Sequence, residues 1–155
     1  MGDTVQLLSF RLDQQRYALP LATVEHVVQS VEVTPLPHAP TIVLGAINVH
    51  GRVLPVLNVR RRFLLPEREV VPTDWFLVAH TARRTVVLVI DRSDGLVERP
   101  QSEIVPSAHV TPGLDAFPGL VRLDDGLVLI HDLDQFLSLD ETRDLDEAMD
   151  DLPGA

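Results

Sequence analysis

Alternating apolar and polar positions predict short β-strands along most of the chain. Leu8, Phe10 and Leu12, for example, would share one face of a strand, with polar residues between them. The valine-rich residues 24–33 fit a short turn that leads into a strand, because β-branched side chains favour extended backbone. The other predicted strands are residues 5–12, 17–21, 46–49, 53–59, 75–80, 85–90, 96–97, 120–123 and 127–130. The chain is therefore predicted to be mostly β.

A tight hairpin turn is predicted at His50-Gly51, between two β-branched runs. Glycine takes a positive φ without strain, which such a turn requires. Pro55 lies in the second run and cannot donate a ladder hydrogen bond. That strand is therefore predicted to lie at a sheet edge or to carry a bulge there. The three arginines of residues 60–62 follow the hairpin and are predicted to be solvated.

The C-terminal part is predicted to contain a short capped helix and an acidic tail. Asp132 fits the N-cap of the helix, and apolar residues follow it at helical spacing. Between Asp140 and Asp151 there are seven acidic residues and one arginine. Residues 141–155 are therefore predicted to be a solvated tail that is dispensable for folding. The alternative is that its apolar residues form further helical turns packed on the barrel or on a partner.

The two halves of the chain resemble each other. Each opens with a hairpin around a polar turn, passes through a proline-broken loop, and closes with a glycine and two strands around an X-Gly turn. Gly45 thus corresponds to Gly119, and Gly51 to Gly126. Two copies indicate an internal duplication rather than a solenoid. We therefore predict two five-stranded β-barrels side by side with a shared apolar seam.

The length of 155 residues suits one domain that contains both barrels. Residues 5–140 are predicted to form this domain. The barrels would span about residues 5–65 and 73–132, and elements could be exchanged between them. Residues 64–73, with two prolines and three charges, are predicted to link the halves.

Composition argues against several classes of function. The formal net charge of −10 argues against nucleic acids and anionic membranes as main partners. The chain contains no cysteine, which excludes disulfides, thiolate catalysis and cysteine zinc sites. No stretch has the pattern of a signal peptide or the apolar length of a membrane span. We therefore expect a cytoplasmic protein without direct membrane insertion.

Candidate catalytic and metal-binding residues are few. His26, His38 and His50 lack the spacing of a helical metal site, and no Walker, dinucleotide or nucleophile-elbow motif is present. Four aspartates, Asp91, Asp94, Asp124 and Asp125, could form paired carboxylates for acid–base catalysis, but three of them lie where turns favour Asp, so turn roles are expected. We therefore expect no enzymatic activity, no bound metal and no cofactor.

Four short motifs follow one another in the first half of the chain. They are Tyr17-Ala18-Leu19-Pro20-Leu21, Val24-Glu25-His26-Val27, Pro35-Leu36-Pro37-His38-Ala39-Pro40 and Gly45-Ala46-Ile47-Asn48-Val49-His50-Gly51-Arg52-Val53-Leu54-Pro55-Val56. Each motif alone is weak evidence for a family, but the order and spacing of the four motifs are specific. In this arrangement the chain resembles the CheW family of chemotaxis coupling proteins, and the resemblance covers residues 7–139.

The resemblance implies a CheW-like fold of two SH3-like five-stranded barrels. It also implies a non-enzymatic adaptor that couples the cytoplasmic tip of a methyl-accepting chemoreceptor to the regulatory domain of a CheA-type histidine kinase. That domain is similar to CheW, so the two would alternate in rings within membrane-associated receptor arrays. In isolation the protein would be a monomer.

A receptor-binding surface is predicted where apolar valines would meet the hairpin turn. Its residues are Val24, His26, Val27, Asn48, His50, Gly51 and Arg52. Members of the family usually carry Glu at position 26 and Arg at position 50, so the histidines leave open which receptor is bound. The alternative function is a stand-alone β-barrel that binds a ligand or peptide outside chemotaxis. A barrel mouth lined with polar residues would favour that alternative, whereas filled barrels and an apolar groove would favour the adaptor.

Overall fold

The computed structural model describes residues 3–106, 119–124 and 126–152. The strands are β1 (Thr4–Leu12), β2 (Gln15–Pro20), β3 (Val24–Gln29), β4 (Val43–Val49), β5 (Arg52–Leu57), β6 (Trp75–His80), β7 (Thr85–Ile90), β8 (Arg92–Pro100), β9 (Val105–Pro106), β10 (Gly119–Leu123) and β11 (Gly126–Ile130). The α-helices are α1 (Val59–Arg62) and α2 (Leu139–Asp150), and single 3-10 turns occur at Leu21–Thr23, Gln101–Glu103 and Leu133–Gln135. None of the helices in these ranges has the length and apolar character needed to cross a membrane.

The strands form two sheets, and the prediction of a mostly β fold with short helical turns and a C-terminal helix is confirmed. One sheet has six strands in the order β8-β1-β2-β11-β10-β9. The other has five, in the order β3-β6-β7-β5-β4. Two five-stranded barrels were predicted; the described pairings instead give six and five strands and leave both sheets open.

The two sheets are built on the same plan, and each combines a hairpin from one half of the chain with strands from the other half. In each, a hairpin pairs in parallel with a second hairpin: β2 with β11 in one sheet, and β7 with β5 in the other. A further strand flanks the exchanged hairpin, since β3 pairs with β6 and β8 pairs with β1, and the six-stranded sheet also has β9 beside β10. Each sheet therefore contains strands from both halves of the sequence. The assignment of the halves to separate barrels stays a prediction.

Apolar residues on both faces of the sheets form three cores. The largest lies between the sheets and includes residues of α1 and α2, whereas each sheet also packs around a smaller core of its own. In β7, Val86 and Leu88 belong to the shared core and Val87 belongs to the core of the five-stranded sheet. This explains the continuous apolar character of that strand, since both of its faces are buried.

Gly45 and Gly119 correspond in structure as they do in sequence. Each lies where a further segment of chain approaches the first strand of a hairpin. A Cβ atom on Gly45 would stand 2.2 Å from the carbonyl oxygen of Thr34, and one on Gly119 would stand 2.9 Å from Cγ2 of Ile104. Gly45 therefore has no room for a side chain against the backbone of Thr34, whereas a side chain at Gly119 would have to displace the side chain of Ile104.

The prediction for Pro55 is wrong, because β5 lies between β4 and β7 and the bulge lies on β4. Opposite Pro55, Ala46 exchanges backbone hydrogen bonds of 2.8 and 3.0 Å with Thr34 instead. The ladder between β5 and β7 begins only at Val56. Pro55 therefore occupies a position where no ladder donor is required.

The prediction of a solvated tail is wrong for α2. Ser138 and Glu141 form a capping box at its start, and Leu145, Ala148 and Met149 are buried in the shared core. The acidic side chains are also paired, since Glu141 accepts a 2.6 Å hydrogen bond from Arg62, and Asp146 accepts bonds from Arg83 and Arg84. Asp132 caps as predicted, but it begins only a single 3-10 turn.

A chain of ion pairs holds the linker and α1 against the sheets. Asp91 accepts hydrogen bonds from Arg60 at 2.9 Å and from Arg68 at 2.8 Å. Arg60 also binds Asp13 at 2.9 Å, and Arg68 binds Asp74 at 2.6 Å. Arg60 is buried, so the prediction that residues 60–62 are solvated is wrong at this position.

Candidate functional site

The seven predicted site residues lie on strand β3 and on the β4–β5 hairpin of the five-stranded sheet. Their positions are Val24, His26 and Val27 in β3, Asn48 in β4, His50 and Gly51 in the following turn, and Arg52 at the start of β5. β3 and β4 are the two outer strands of that sheet. The structure nevertheless joins the start of β3 to the start of β5 through side chains.

The contact is made by Glu25, which was not among the predicted site residues. Arg52 donates from Nη1 to Glu25 Oε1 at 3.1 Å, and Thr85 donates from Oγ1 to Glu25 Oε2 at 2.9 Å. Arg52 also donates from Nη2 to Thr85 Oγ1 at 2.7 Å, and His80 Nδ1 lies 4.0 Å from the same carboxylate. The hydrogen bonds from Arg52 and then Thr85 lower the pKa of Glu25.

A β-bulge directs Glu25 toward this contact. Val24 pairs with Ala79 and His26 pairs with Val78, so Glu25 is the extra residue of β3. Because β6 and β7 separate β3 from β5, the contact also shows that the sheet curls strongly at this end. Strand periodicity alone does not reveal a bulge. The sequence signal for this contact was the opposite charge of Glu25, next to the predicted site residue His26, and of Arg52 within the predicted site.

The β4–β5 turn has the geometry predicted for it. His50 and Gly51 both have positive φ, 51° and 83°, as a two-residue hairpin turn requires. The backbone N–H of Gly51 donates to Asn48 Oδ1 at 2.9 Å, which fixes the turn from within. His50 is exposed at the tip. The turn is therefore a rigid, accessible feature at the edge of the sheet.

The valines and histidine of β3 are less accessible than the prediction requires. Val24 and Val27 are partly buried against the shared core. His26 Nε2 is buried without a hydrogen-bond partner. Among the described residues, no hydrogen bond or ion pair joins His26 to His50. The charged pair at this end of the sheet is Glu25 with Arg52.

An apolar groove lies beside β4. It has a volume of about 670 Å³ and is lined by residues 31–32 and 34–36, by residues 46–48 of β4, by Val53 and by Leu152 at the end of α2. Asn48 is the predicted site residue that lines it. Thr34 bridges to Ala46 at its base, so the segment and the strand are fixed to each other there. Asn48 connects the groove with the exposed turn, because it lines the groove and accepts a hydrogen bond from Gly51.

The described residues contain no group of three histidine or acidic side chains suited to a metal ion. Asp91 and Asp94 do not face each other as an acid–base pair. Asp94 accepts hydrogen bonds from Arg11 at 2.7 Å and from Arg16 at 3.3 Å, while Asp91 binds other arginines. Asp125, in the predicted Asp-Gly turn of β10–β11, lies outside the described residues.

Comparison with known proteins places this geometry in a family. The family model of the CheW-like domain matches residues 6–141. The chemotaxis protein CheW of Treponema pallidum is 25% identical over 146 residues, covering 90% of this chain and 86% of that protein. The CheW of Thermotoga maritima is 28% identical over 136 residues, covering 85% and 87%. The crystal structure of the scaffolding protein TtCheW from Thermoanaerobacter tengcongensis superposes with a TM-score of 0.79 at 24% identity, covering 91% of this chain and 96% of that one. The chain therefore belongs to the CheW-like family.

Proposed function

We propose that this protein is a non-enzymatic adaptor that couples chemoreceptors to a CheA-type histidine kinase in bacterial chemosensory signalling. Its partners are the cytoplasmic tip of a methyl-accepting chemoreceptor and the regulatory domain of the kinase, at receptor arrays on the cytoplasmic side of the membrane. The relatives named as chemotaxis proteins along nearly the whole chain support this assignment.

The observation that carries the proposal is the apolar groove next to the exposed β4–β5 turn. An amphipathic helix binds by laying its apolar face into such a groove, with polar groups at the rim fixing its orientation. The inner cores of both sheets are filled by buried side chains such as Val56 and Val121. The accessible apolar surface is therefore the groove beside β4, where a helical receptor tip can reach it.

The test is a binding experiment with both partners from the same genome. We expect the purified protein to bind the chemoreceptor cytoplasmic fragment and the kinase regulatory domain in separate calorimetric titrations. Mixing all three should give a ternary complex by size-exclusion chromatography. Absence of binding to either partner would contradict the adaptor function.

The turn itself is tested with His50→Ala and a matched control. Asp124→Ala changes an exposed residue in the corresponding β10–β11 turn of the other sheet. We expect His50→Ala to weaken binding of the receptor fragment and Asp124→Ala to leave it unchanged. Equal effects of the two changes would remove the β4–β5 turn from the interface.

The alternative of a ligand-binding module has one observation in its favour. A cavity of about 410 Å³ lies between α2 and the β6–β7 turn, and buried apolar residues such as Leu57, Val86 and Phe136 line it. Its volume is within the range of small-molecule sites. Native mass spectrometry that finds a stoichiometric organic molecule would favour this function over the adaptor.

A further inference from the structure

We propose that the end of α2 is part of the helix-binding groove, with Leu152 as a residue that determines which helices bind. The inference rests on the proposed function, because it assigns a partner contact to the same groove. It concerns a segment whose sequence indicated a solvated tail or, as the alternative, helical turns packed on the barrel or on a partner. The partner that fits this groove is an amphipathic helix whose apolar stripe is flanked by basic residues.

The position of Leu152 is set by the fold. Its backbone N–H donates to the carbonyl of Met149 at 3.2 Å, which continues the last turn of α2. Its side chain is half-buried and packs against the shared core, as do Val24, Val27 and Val53. Leu152 also lines the groove, together with residues of β4. Its side chain thus belongs both to the packing of α2 on the shared core and to the lining of the groove.

The charges around the groove define the partner helix. Glu32 lines the groove and is exposed, and Asp150 and Asp151 are exposed directly before Leu152. The nearest arginine of the predicted site, Arg52, already pairs with Glu25. The rim next to Leu152 is therefore acidic. A helix with Arg or Lys beside its apolar stripe complements it, whereas one with acidic flanks is repelled.

The experiment compares the two ends of the same helix. Leu152→Asp and Leu152→Ala change the groove, and Leu139→Asp introduces the same charge at a residue that is 91% exposed. Each variant is titrated with the chemoreceptor cytoplasmic fragment and, separately, with the kinase regulatory domain. We expect Leu152→Asp to weaken receptor binding at least tenfold and Leu152→Ala to weaken it severalfold. Leu139→Asp should change neither affinity, and the kinase domain should bind all variants equally.

A second experiment tests the acidic character of the rim. The double change Glu32→Gln with Asp151→Asn should reduce receptor binding and flatten its dependence on salt, because a charge-complementary rim is screened by ions. The result of this second experiment does not depend on how well Leu152→Asp folds.

The outcomes separate the two proposals. If the unmodified protein does not bind the receptor fragment, the adaptor function fails and this inference fails with it. If the unmodified protein binds and both Leu152 variants bind within twofold of it, the function stands and the role of α2 is wrong. Loss of kinase binding instead of receptor binding would also overturn the inference.

Discussion

Asp74 shows how single residues of this protein depend on charge pairing. Its side chain is 2% exposed, and it accepts hydrogen bonds from Arg68 and from the backbone N–H of Val71. Burial raises the pKa of Asp74, but these hydrogen bonds outweigh burial and lower it overall. The carboxylate therefore stays charged inside the fold because its partners stay in place.

Removal of the Arg68 side chain should therefore destabilise the folded protein. We expect Arg68→Ala to lower the free energy of unfolding by about 2 kcal/mol, because a buried carboxylate loses its partner while Val71 and solvent compensate in part. Urea denaturation measures the change. The control is Arg143→Ala, which breaks an exposed pair with Asp140 and should cost no more than about 0.5 kcal/mol. Equal losses in the two variants would contradict the role of Asp74.

At the scale of elements, α2 shows how an acidic segment becomes part of a core. The capping box satisfies its first N–H groups, and its apolar face joins the shared core. Three arginines from other elements pair with its carboxylates: Arg62, Arg83 and Arg84. Repulsion between its acidic residues is thereby reduced on the side that faces the protein.

Truncation of α2 should destabilise the protein. We expect Leu145→Ala to cost about 3 kcal/mol, since a fully buried leucine leaves a cavity. Removal of residues 139–155 should lower the free energy of unfolding by more than Leu145→Ala does. Leu139→Ala, at a fully helical but exposed position, should leave the melting temperature nearly unchanged. A truncated protein that melts like the full chain would show that the helix does not contribute to folding.

At the scale of the whole molecule, the two sheets have equivalent carboxylates at corresponding bulges. Glu25 is the bulged residue of β3, and Asp94 is the bulged residue of β8. Arg11 and Arg16, which lie on the hairpin strands beside β8, bind Asp94 as Thr85 and Arg52 bind Glu25. The duplication thus includes a polar cluster as well as the strand order.

These carboxylates predict that stability falls in acid. Burial raises the pKa of Asp94, but hydrogen bonds from Arg11 and Arg16 outweigh burial and lower the pKa overall. Burial is likewise outweighed at Glu141 by hydrogen bonds from the backbone N–H of Ser138 and from Arg62, and at Asp146 by those from Arg84 and Arg83, so both pKa values are lowered. A lowered folded pKa gives stability that is complete above the unfolded pKa of about 4 and lost as the pH falls through the folded value.

Urea midpoints measured between pH 7 and pH 3 test this prediction. We expect the midpoint to hold at pH 7 and pH 6 and to fall steadily below about pH 5. Asp94→Asn should be less stable at pH 7 and should show a shallower fall, since one of the titrating groups is absent. A midpoint that is the same at pH 7 and pH 3 would contradict the assignment.

The sequence by itself determined the features that depend on local pattern. β6 and β7 have the bounds that were predicted from their apolar runs. The turn at His50-Gly51 forms where the position of the glycine predicted it. The correspondence of Gly45 with Gly119 indicated the duplication, and at both positions a Cβ atom would crowd an approaching segment of the chain. Side-chain periodicity and backbone freedom are properties of short segments, so they can be recognised without the fold.

Tertiary structure alone decided which segments meet. The exchange of the β1–β2 and β6–β7 hairpins, the pairing of Glu25 with Arg52 and the burial of α2 all join residues that are distant in sequence. A bulge shifts a side chain to another face without changing composition, and an acidic helix is buried only if partners elsewhere supply arginines and an apolar surface. Such contacts depend on the packing of the whole chain, and no segment specifies them alone.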